Sequence, residues 1–310
     1  MESNQATGIT PFKEMKKKVA LVLSGGGARG IAHIGVIEEL ERQGYEITSI
    51  AGTSIGAMVG GVYALGKMDE FKEWGYSLDK RKVFSLVDFT LSKQGLIKGD
   101  RVLKKMRDFI PDTLIEELPL PYAAVAVDLI NKKEVVFREG SLYHAIRASI
   151  AIPSVLTPVK GEHSLLVDGG VLNNIPMNHV QRTEGDLLVA VNVNADVPVY
   201  QPVTPDKDAS KKHSLYQDKI RDFYKDLLKR HPHDDEDVNL GYFSLLSRTI
   251  DLITMQMSDL ALQTYHPDIL VEISHESCSI FDFYKAEEMV ETGRQVAMAT
   301  LDSYRTKLVN

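Results

Sequence analysis

The pattern of hydrophobic and polar positions in the first two-thirds of the chain alternates between short apolar runs and stretches with helical spacing. The run at 19–23 ends in glycines, and apolar side chains then recur at Ile31, Ile34 and Ile37. A short run predicts a strand, whereas spacing of three and four residues predicts an amphipathic helix. The same order returns at 47–51, where a second predicted strand precedes a helix rich in small residues.

Further strands and helices follow in the same alternating order up to about residue 195. We predict helices at 68–76, 100–110 and 142–149 and strands at 122–128, 133–137, 164–168 and 186–193. The last of these runs is almost continuously apolar, which is typical of a strand buried on both faces of a sheet. This alternation predicts an α/β fold with a mostly parallel central sheet and helices on both faces.

The pattern changes after residue 195, where three prolines within eight residues (198, 202 and 205) indicate a loop or linker. We predict a charged helical insertion at about 206–240, a long apolar helix at 241–265, one more strand and a closing helix at 284–308. We therefore expect a core at 19–195 and a C-terminal part at 196–310 that packs on the same domain.

Composition narrows the classes of function. The chain has 310 residues with ordinary apolar and charged content, which excludes a disordered or fibrous protein. A net charge of −7 disfavours nucleic-acid binding. A single cysteine, Cys278, cannot form an internal disulfide, and no apolar run is long enough for a signal or membrane-spanning segment. We therefore expect a cytoplasmic protein, with contact at a membrane surface left open.

A Gly-Thr-Ser-Ile-Gly motif at 52–56 lies between a predicted strand and a predicted helix. Such a G-x-S-x-G turn is typical of a nucleophile elbow, in which a strained backbone presents the serine hydroxyl at the end of the strand. Gly52 and Gly56 would let the chain pass closely around Ser54. The alternative is a structural tight turn.

A Ser-Gly-Gly-Gly-Ala-Arg-Gly segment at 24–30 also joins a strand to a helix. The amides of successive glycines at a helix N-terminus can bind a phosphate or a developing oxyanion. Gly25, Gly27 and Gly30 also match a dinucleotide fingerprint, which requires an acidic residue at the end of the next strand. That strand runs directly into the Ser54 motif, so the nucleotide hypothesis is the weaker one.

An aspartate with two glycines, Asp168, Gly169 and Gly170, ends the predicted strand at 164–168. A nucleophilic serine needs a base, and this carboxylate is one candidate. Histidine is the more usual base, but none of the nine histidines has an obvious position. The residues alone leave open whether Asp168 acts directly on Ser54 or through a histidine such as His33.

With Ala-Ser-Ile-Ala-Ile-Pro at 148–153, four blocks occur in order, and together they resemble the patatin-like phospholipases. The bacterial members are similar to the catalytic part of neuropathy target esterase. The resemblance implies a three-layer α/β/α fold and a Ser54–Asp168 dyad. It also implies an oxyanion hole formed by the backbone of Gly25, Gly26 and Gly27, with Arg29 beside it. It gives the third block, with Ser149, a structural role.

The sequence therefore predicts a serine acyl-ester hydrolase for (lyso)phospholipids or related acyl esters. We expect no cofactor and no metal, because the His- and Asp-rich cluster at 231–237 follows a charged segment outside the four blocks. The alternatives are a catalytically weak scaffold that keeps the fold and, more remotely, a dinucleotide-binding oxidoreductase. The expected partner is the lipid substrate, and the sequence leaves the oligomeric state undetermined.

Overall fold

A computed structural model of the chain describes residues 17–86, 100–108, 110–111, 113–153, 155–200 and 242–309. Its centre is an eight-stranded sheet. The strands are β1 (Lys17–Leu23), β2 (Tyr45–Thr53), β3 (Tyr122–Asp128), β4 (Lys133–Phe137), β5 (Val159–Lys160), β6 (Leu165–Asp168), β7 (Leu187–Ala195) and β8 (Ile269–Ser274).

The strands lie in the order β5-β6-β3-β2-β1-β7-β8, and β4 pairs with β3 beside that path. Strands β3, β2, β1, β7 and β8 are parallel, whereas β4, β5 and β6 join one side through antiparallel pairs. In the pair between β3 and β6, Ala126 lies opposite Asp168. This antiparallel pairing brings the end of β6 towards the site where the loops after β1 and β2 lie.

Apart from a short helix at 80–86 that the sequence analysis does not predict, the described helices match the predicted positions closely, and the α/β prediction is confirmed. They are α1 (Ala32–Arg42), α2 (Ile55–Ala64), α3 (Met68–Tyr76), α4 (Lys80–Leu86), α5 (Asp100–Met106), α6 (Leu142–Ser149), α7 (Tyr242–Thr264) and α8 (Ala286–Val309). Helix α5 ends at Met106, four residues before the predicted end at 110, and the chain turns at 107–108. Pro111 disfavours helical geometry in the residue before it, which is consistent with this earlier end.

Alternate side chains of β1 face two separate cores. In β1, Val19, Leu21 and Leu23 pack in the larger core with α1, α2, α6 and α8. Val22 faces the opposite side, in a smaller core that includes Leu262 from α7. Helices therefore cover both faces of the sheet, as the three-layer prediction requires.

The C-terminal part contributes to the same sheet and the same core. Strand β8 extends the sheet beside β7, and α8 packs so closely on α1 that a Cβ at Gly35 would overlap the Val290 carbonyl. We propose on this basis that the segments after residue 195 belong to one domain with the core. The predicted insertion at 206–240 and the cluster at 231–237 lie outside the described residues.

In the parts of the chain that the structure describes, no helix is both long and apolar enough to cross a membrane.

Candidate active site

The turn between β2 and α2 holds Ser54 in a strained conformation. Its φ of 55° and ψ of −125° lie where a residue with a side chain is rarely found, at a typical cost of about 1–3 kcal/mol. The turn is tight, because a Cβ at Gly52 would lie 2.5 Å from the Ala57 nitrogen and one at Gly56 would overlap the Leu23 carbonyl. The motif therefore forms the sharp elbow that its spacing predicts.

A hydroxyl from the third motif block supports this elbow. Ser149, at the end of α6, accepts a hydrogen bond from the Ser54 N–H at 2.8 Å and donates to the Val125 carbonyl at 2.6 Å. All three residues are buried. The elbow is thus held by a residue outside its own loop. This hydrogen bond is the contact through which Ser149 would have its expected structural role.

Asp168 lies at the end of β6, buried with 6% exposure. Its Oδ1 accepts a hydrogen bond from the Gly170 N–H at 2.8 Å, which fixes the carboxyl in the turn. Its Oδ2 has no hydrogen-bond partner among the described residues. Burial raises the pKa of Asp168 to about 6, although the Ser54 hydroxyl and the Gly170 amide act in the opposite direction.

Ser54 and Asp168 therefore lie next to each other at the carboxyl edge of the sheet. The Ser54 hydroxyl is close enough to lower the pKa of Asp168, but it makes no hydrogen bond of regular geometry to the free Oδ2. The two side chains are therefore neighbours without a hydrogen bond between them. A rotation of the serine side chain about χ1 is the movement that would change this separation.

The glycine loop after β1 packs directly against Ser54. A Cβ at Gly25 would lie 3.1 Å from the Ser54 Cβ and 2.5 Å from Asn174 Oδ1. The Gly25 N–H donates to the Asn174 carbonyl at 3.2 Å, so it is not free to bind an oxyanion, and this part of the prediction needs correction. The amides of Gly26 and Gly27 have no acceptor among the described residues and remain the candidates.

Two other glycines make the loop's path possible. Gly27 has a φ of 58°, and a Cβ there would lie 2.5 Å from the Ile280 carbonyl oxygen. At Gly30 a Cβ would overlap Ile55. Gly169, at the other side of the site, packs against the Val125 carbonyl, where a Cβ would also overlap.

Arg29 follows the loop, but its guanidinium forms hydrogen bonds with residues in β7 and just after β8. It donates to Asn194 Oδ1 at 2.8 Å and to the carbonyls of His275 and Cys278 at 3.3 and 3.5 Å. Burial lowers the pKa of Arg29, and the negative charge of Asp251 opposes this effect. None of these hydrogen bonds goes to Ser54 or Asp168, so the place of Arg29 beside the oxyanion site, which the resemblance implies, has no contact behind it.

No histidine in the described part of the chain hydrogen-bonds to Ser54. His33 is fully buried in α1, with its Nε2 2.9 Å from the Ser24 carbonyl, and burial lowers its pKa to about 4. His179 bonds to Glu134 at 2.7 Å. The geometry therefore favours a direct contact between Ser54 and Asp168 over a triad.

Three asparagines at the site were missed by the sequence analysis. Asn173 accepts at its carbonyl from the Thr53 hydroxyl, Asn174 donates from its side chain to Ser258 of α7, and Asn194 donates to the Gly25 carbonyl. The signal available in the sequence was the pair of adjacent asparagines shortly after the Asp-Gly-Gly turn. No metal cluster of three or more His, Cys, Asp or Glu residues occurs among the described residues.

Comparison with known proteins identifies the family of the chain. Residues 21–180 match the family model described as patatin-like phospholipase. The chain belongs to the patatin-like phospholipase family. An uncharacterized NTE family protein of Mycobacterium tuberculosis is 34% identical, over 93% of this chain and 92% of that protein.

A mammalian protein and a solved bacterial structure are also similar to the chain. The mouse patatin-like phospholipase domain-containing protein 6 is 33% identical over 57% of this chain and 14% of its own length. A crystal structure of VipD from Legionella pneumophila aligns with a TM-score of 0.43 and 16% identity, over 93% of this chain and 67% of VipD. Membership in the patatin-like family supports lipid acyl hydrolysis as the general activity.

Proposed function

We propose that this patatin-like protein is a serine acyl-ester hydrolase that acts on (lyso)phospholipids or related acyl esters. Ser54 is the nucleophile, Asp168 is the base, and the amides of Gly26 and Gly27 stabilise the oxyanion. The observation that carries the proposal is the strained, buried Ser54 beside an aspartate whose pKa burial raises to about 6 and whose Oδ2 is free.

Acylation begins when the Ser54 hydroxyl turns towards Asp168. Its proton passes to Oδ2 as its oxygen attacks the ester carbonyl, so a C–O bond forms and the carbonyl becomes an oxyanion. A carboxylate with a pKa of about 6 is a stronger base than an ordinary aspartate, yet it is ionised at pH 7. When the intermediate collapses, the C–O bond to the alcohol breaks and the proton leaves with that alcohol.

Deacylation repeats these steps with water as the nucleophile. Asp168 takes a proton from water as the water oxygen attacks the acyl carbon, and Ser54 leaves with the returned proton. Fixed amides are effective in both steps because they need no reorganisation as the oxyanion develops. The net reaction consumes one ester and one water and releases one acid and one alcohol.

A fluorophosphonate probe tests the proposal on the full chain. We expect covalent labelling at Ser54 and turnover of p-nitrophenyl butyrate, with both lost in Ser54→Ala by at least about 10³-fold. Ser49→Ala is a matched control, because Ser49 is a buried serine in the strand that precedes Ser54 and donates to the Gln181 carbonyl away from the site. Folded wild-type protein with an inert Ser54 would contradict the proposal and favour a scaffold.

The remote oxidoreductase hypothesis has no support from these contacts. The position where a dinucleotide site needs an acidic residue is occupied by Thr53, the last residue of β2, and by Ser54 after it. The glycine loop packs against Ser54 and Asn174. Retention of a cofactor by the purified protein without labelling of Ser54 would reopen that hypothesis.

Contact with a lipid surface belongs to the same proposal. Helix α7 packs on the turn that follows Asp168. Its Leu252 and Leu260 are 59% and 54% exposed, and Leu172, just after that turn, is 42% exposed. We expect sedimentation with neutral phosphatidylcholine vesicles, because a net charge of −7 does not favour an anionic surface. Leu252→Asp should reduce it, whereas Leu308→Asp, with Leu308 60% exposed at the end of α8, should not. Equal effects of both variants would contradict contact through α7.

A further inference from the structure

The end of β7 contacts the glycine loop from the side opposite Ser54. Asn194 is 3% exposed and donates from Nδ2 to the Gly25 carbonyl at 2.7 Å. Its Oδ1 accepts from Arg29 Nη2 at 2.8 Å. Because β1 lies between β2 and β7 in the sheet, Ser54 and Asn194 flank the loop that follows β1.

The orientation of the Asn194 amide is fixed by these two neighbours. A guanidinium only donates hydrogen bonds and a backbone carbonyl only accepts them. Oδ1 must therefore face Arg29 and Nδ2 must face Gly25. Arg29 is itself held by the carbonyls of His275 and Cys278, so the amide cannot turn over without breaking contacts on both sides.

This contact determines where the next amide points. In a planar trans peptide the C=O and the N–H project in opposite directions. The Gly25 carbonyl is directed towards β7 by its bond to Asn194, so the Gly26 N–H points away from β7, and Ser54 lies on the other side of β1. That N–H has no acceptor in the part of the chain that the structure describes.

We propose that Asn194 is a positioning residue that holds the Gly25–Gly26 peptide with the Gly26 N–H facing the oxyanion site. Arg29 acts through Asn194 by fixing the orientation of its amide. The inference rests on the proposed function and adds to it the residue that aligns one of the two oxyanion donors. It also gives Arg29 a role away from the substrate.

A simpler role for Asn194 is to anchor Arg29 and so tie the C-terminal strands to the core. The two roles differ in the atom of the amide that matters, which is Oδ1 for anchoring Arg29 and Nδ2 for positioning Gly25. Asn194→Asp keeps an acceptor for Arg29 but replaces the donor to Gly25 with an oxygen that repels the carbonyl. Asn194→Ala removes both contacts.

The test measures kcat and KM for p-nitrophenyl butyrate with the full chain. We expect kcat to fall by roughly 10–100-fold in both Asn194 variants, with KM changed by less than about threefold, because the lost alignment acts on the transition state. Asn194→Asp should be no more active than Asn194→Ala. The Ki of an aryl trifluoromethyl ketone, which forms a hemiketal oxyanion, should rise by the factor by which kcat/KM falls.

Asn192→Asp is the matched control, because Asn192 is 2% exposed in the same strand and its Oδ1 accepts from the Asn194 N–H. This variant introduces the same buried charge but keeps both contacts of the Asn194 side chain, so kcat should stay within about threefold of wild type.

Each outcome has one meaning. Near-wild-type kcat in Asn194→Asp would overturn the inference and leave only the anchoring role. If Asn194→Asp does not fold, an unchanged ketone Ki in Asn194→Ala would overturn it equally. If the wild-type protein shows no turnover that Ser54→Ala abolishes, the proposed function is wrong and this inference is wrong with it.

Discussion

Replacing the carboxyl of Asp168 with an amide tests the electrostatics of the site without any substrate. Burial raises the pKa of Asp168 from its ordinary value of 3.8 to about 6. One pKa unit corresponds to about 1.4 kcal/mol, so keeping this side chain ionised costs the folded protein about 3 kcal/mol. Asp168→Asn removes the charge and keeps an oxygen that can accept from the Gly170 amide.

The sign of the effect follows from proton binding. A raised pKa means that the folded protein holds this proton more tightly than the unfolded chain, so the cost appears as the pH rises. It is small below about pH 4, grows between about pH 4 and 6, and is complete above about pH 6. We expect Asp168→Asn to be more stable than wild type by about 1–3 kcal/mol at pH 8 and by less than about 1 kcal/mol at pH 4.

Urea unfolding of both proteins at pH 8 and pH 4 measures this difference. Asp128→Asn is the control with the opposite sign, because hydrogen bonds from the Asn131 side chain and backbone amides hold the pKa of Asp128 below its ordinary value. That variant should lose stability at pH 8. If Asp168→Asn is no more stable than wild type at pH 8, the carboxyl does not experience the desolvation described here.

Three further predictions concern activity and packing. Ser149→Ala should lower the free energy of unfolding by roughly 1–3 kcal/mol and lower kcat, because it leaves the Ser54 N–H without its acceptor. Thermal denaturation measures the first effect, and an unchanged kcat would show that this support of the elbow is not needed for turnover. Gly27→Ala should lower kcat at least about tenfold, whereas Gly44→Ala, at a similar positive φ in open space, should not. Equal losses in both variants would contradict a role of the glycine-loop conformation in turnover. The kcat/KM for a neutral ester should fall about tenfold per pH unit below about pH 6, because Asp168 must be ionised; a flat profile from pH 7 to pH 4 would exclude it as the base.

The parts of the fold and site that could be predicted are those carried by local spacing. The strand, elbow and helix around Ser54 follow from the run before it and the small residues after it, and the structure reproduces all three elements. The glycine loop and the Asp168 turn likewise lie at strand ends. Local pattern suffices there because each feature is built within about ten residues.

The remaining contacts join residues that are far apart in the sequence. Ser149 reaches Ser54 across 95 positions, and Asn194 reaches Gly25 across 169. A single sequence does not indicate which buried hydroxyl or amide will lie beside which loop. The contacts of Arg29 could not be predicted for the same reason, since its partners lie in β7 and just after β8, much later in the chain.

The measurement that tests the central claim most directly is trapping of the acyl-enzyme. The full chain is mixed with p-nitrophenyl butyrate, quenched in acid and analysed by peptide mass spectrometry. We predict a butyryl group on Ser54 in the wild type and none in Ser54→Ala, with Asp168→Asn acylated far more slowly. Turnover that continues in Ser54→Ala, or a butyryl group found on a different residue, would contradict the account.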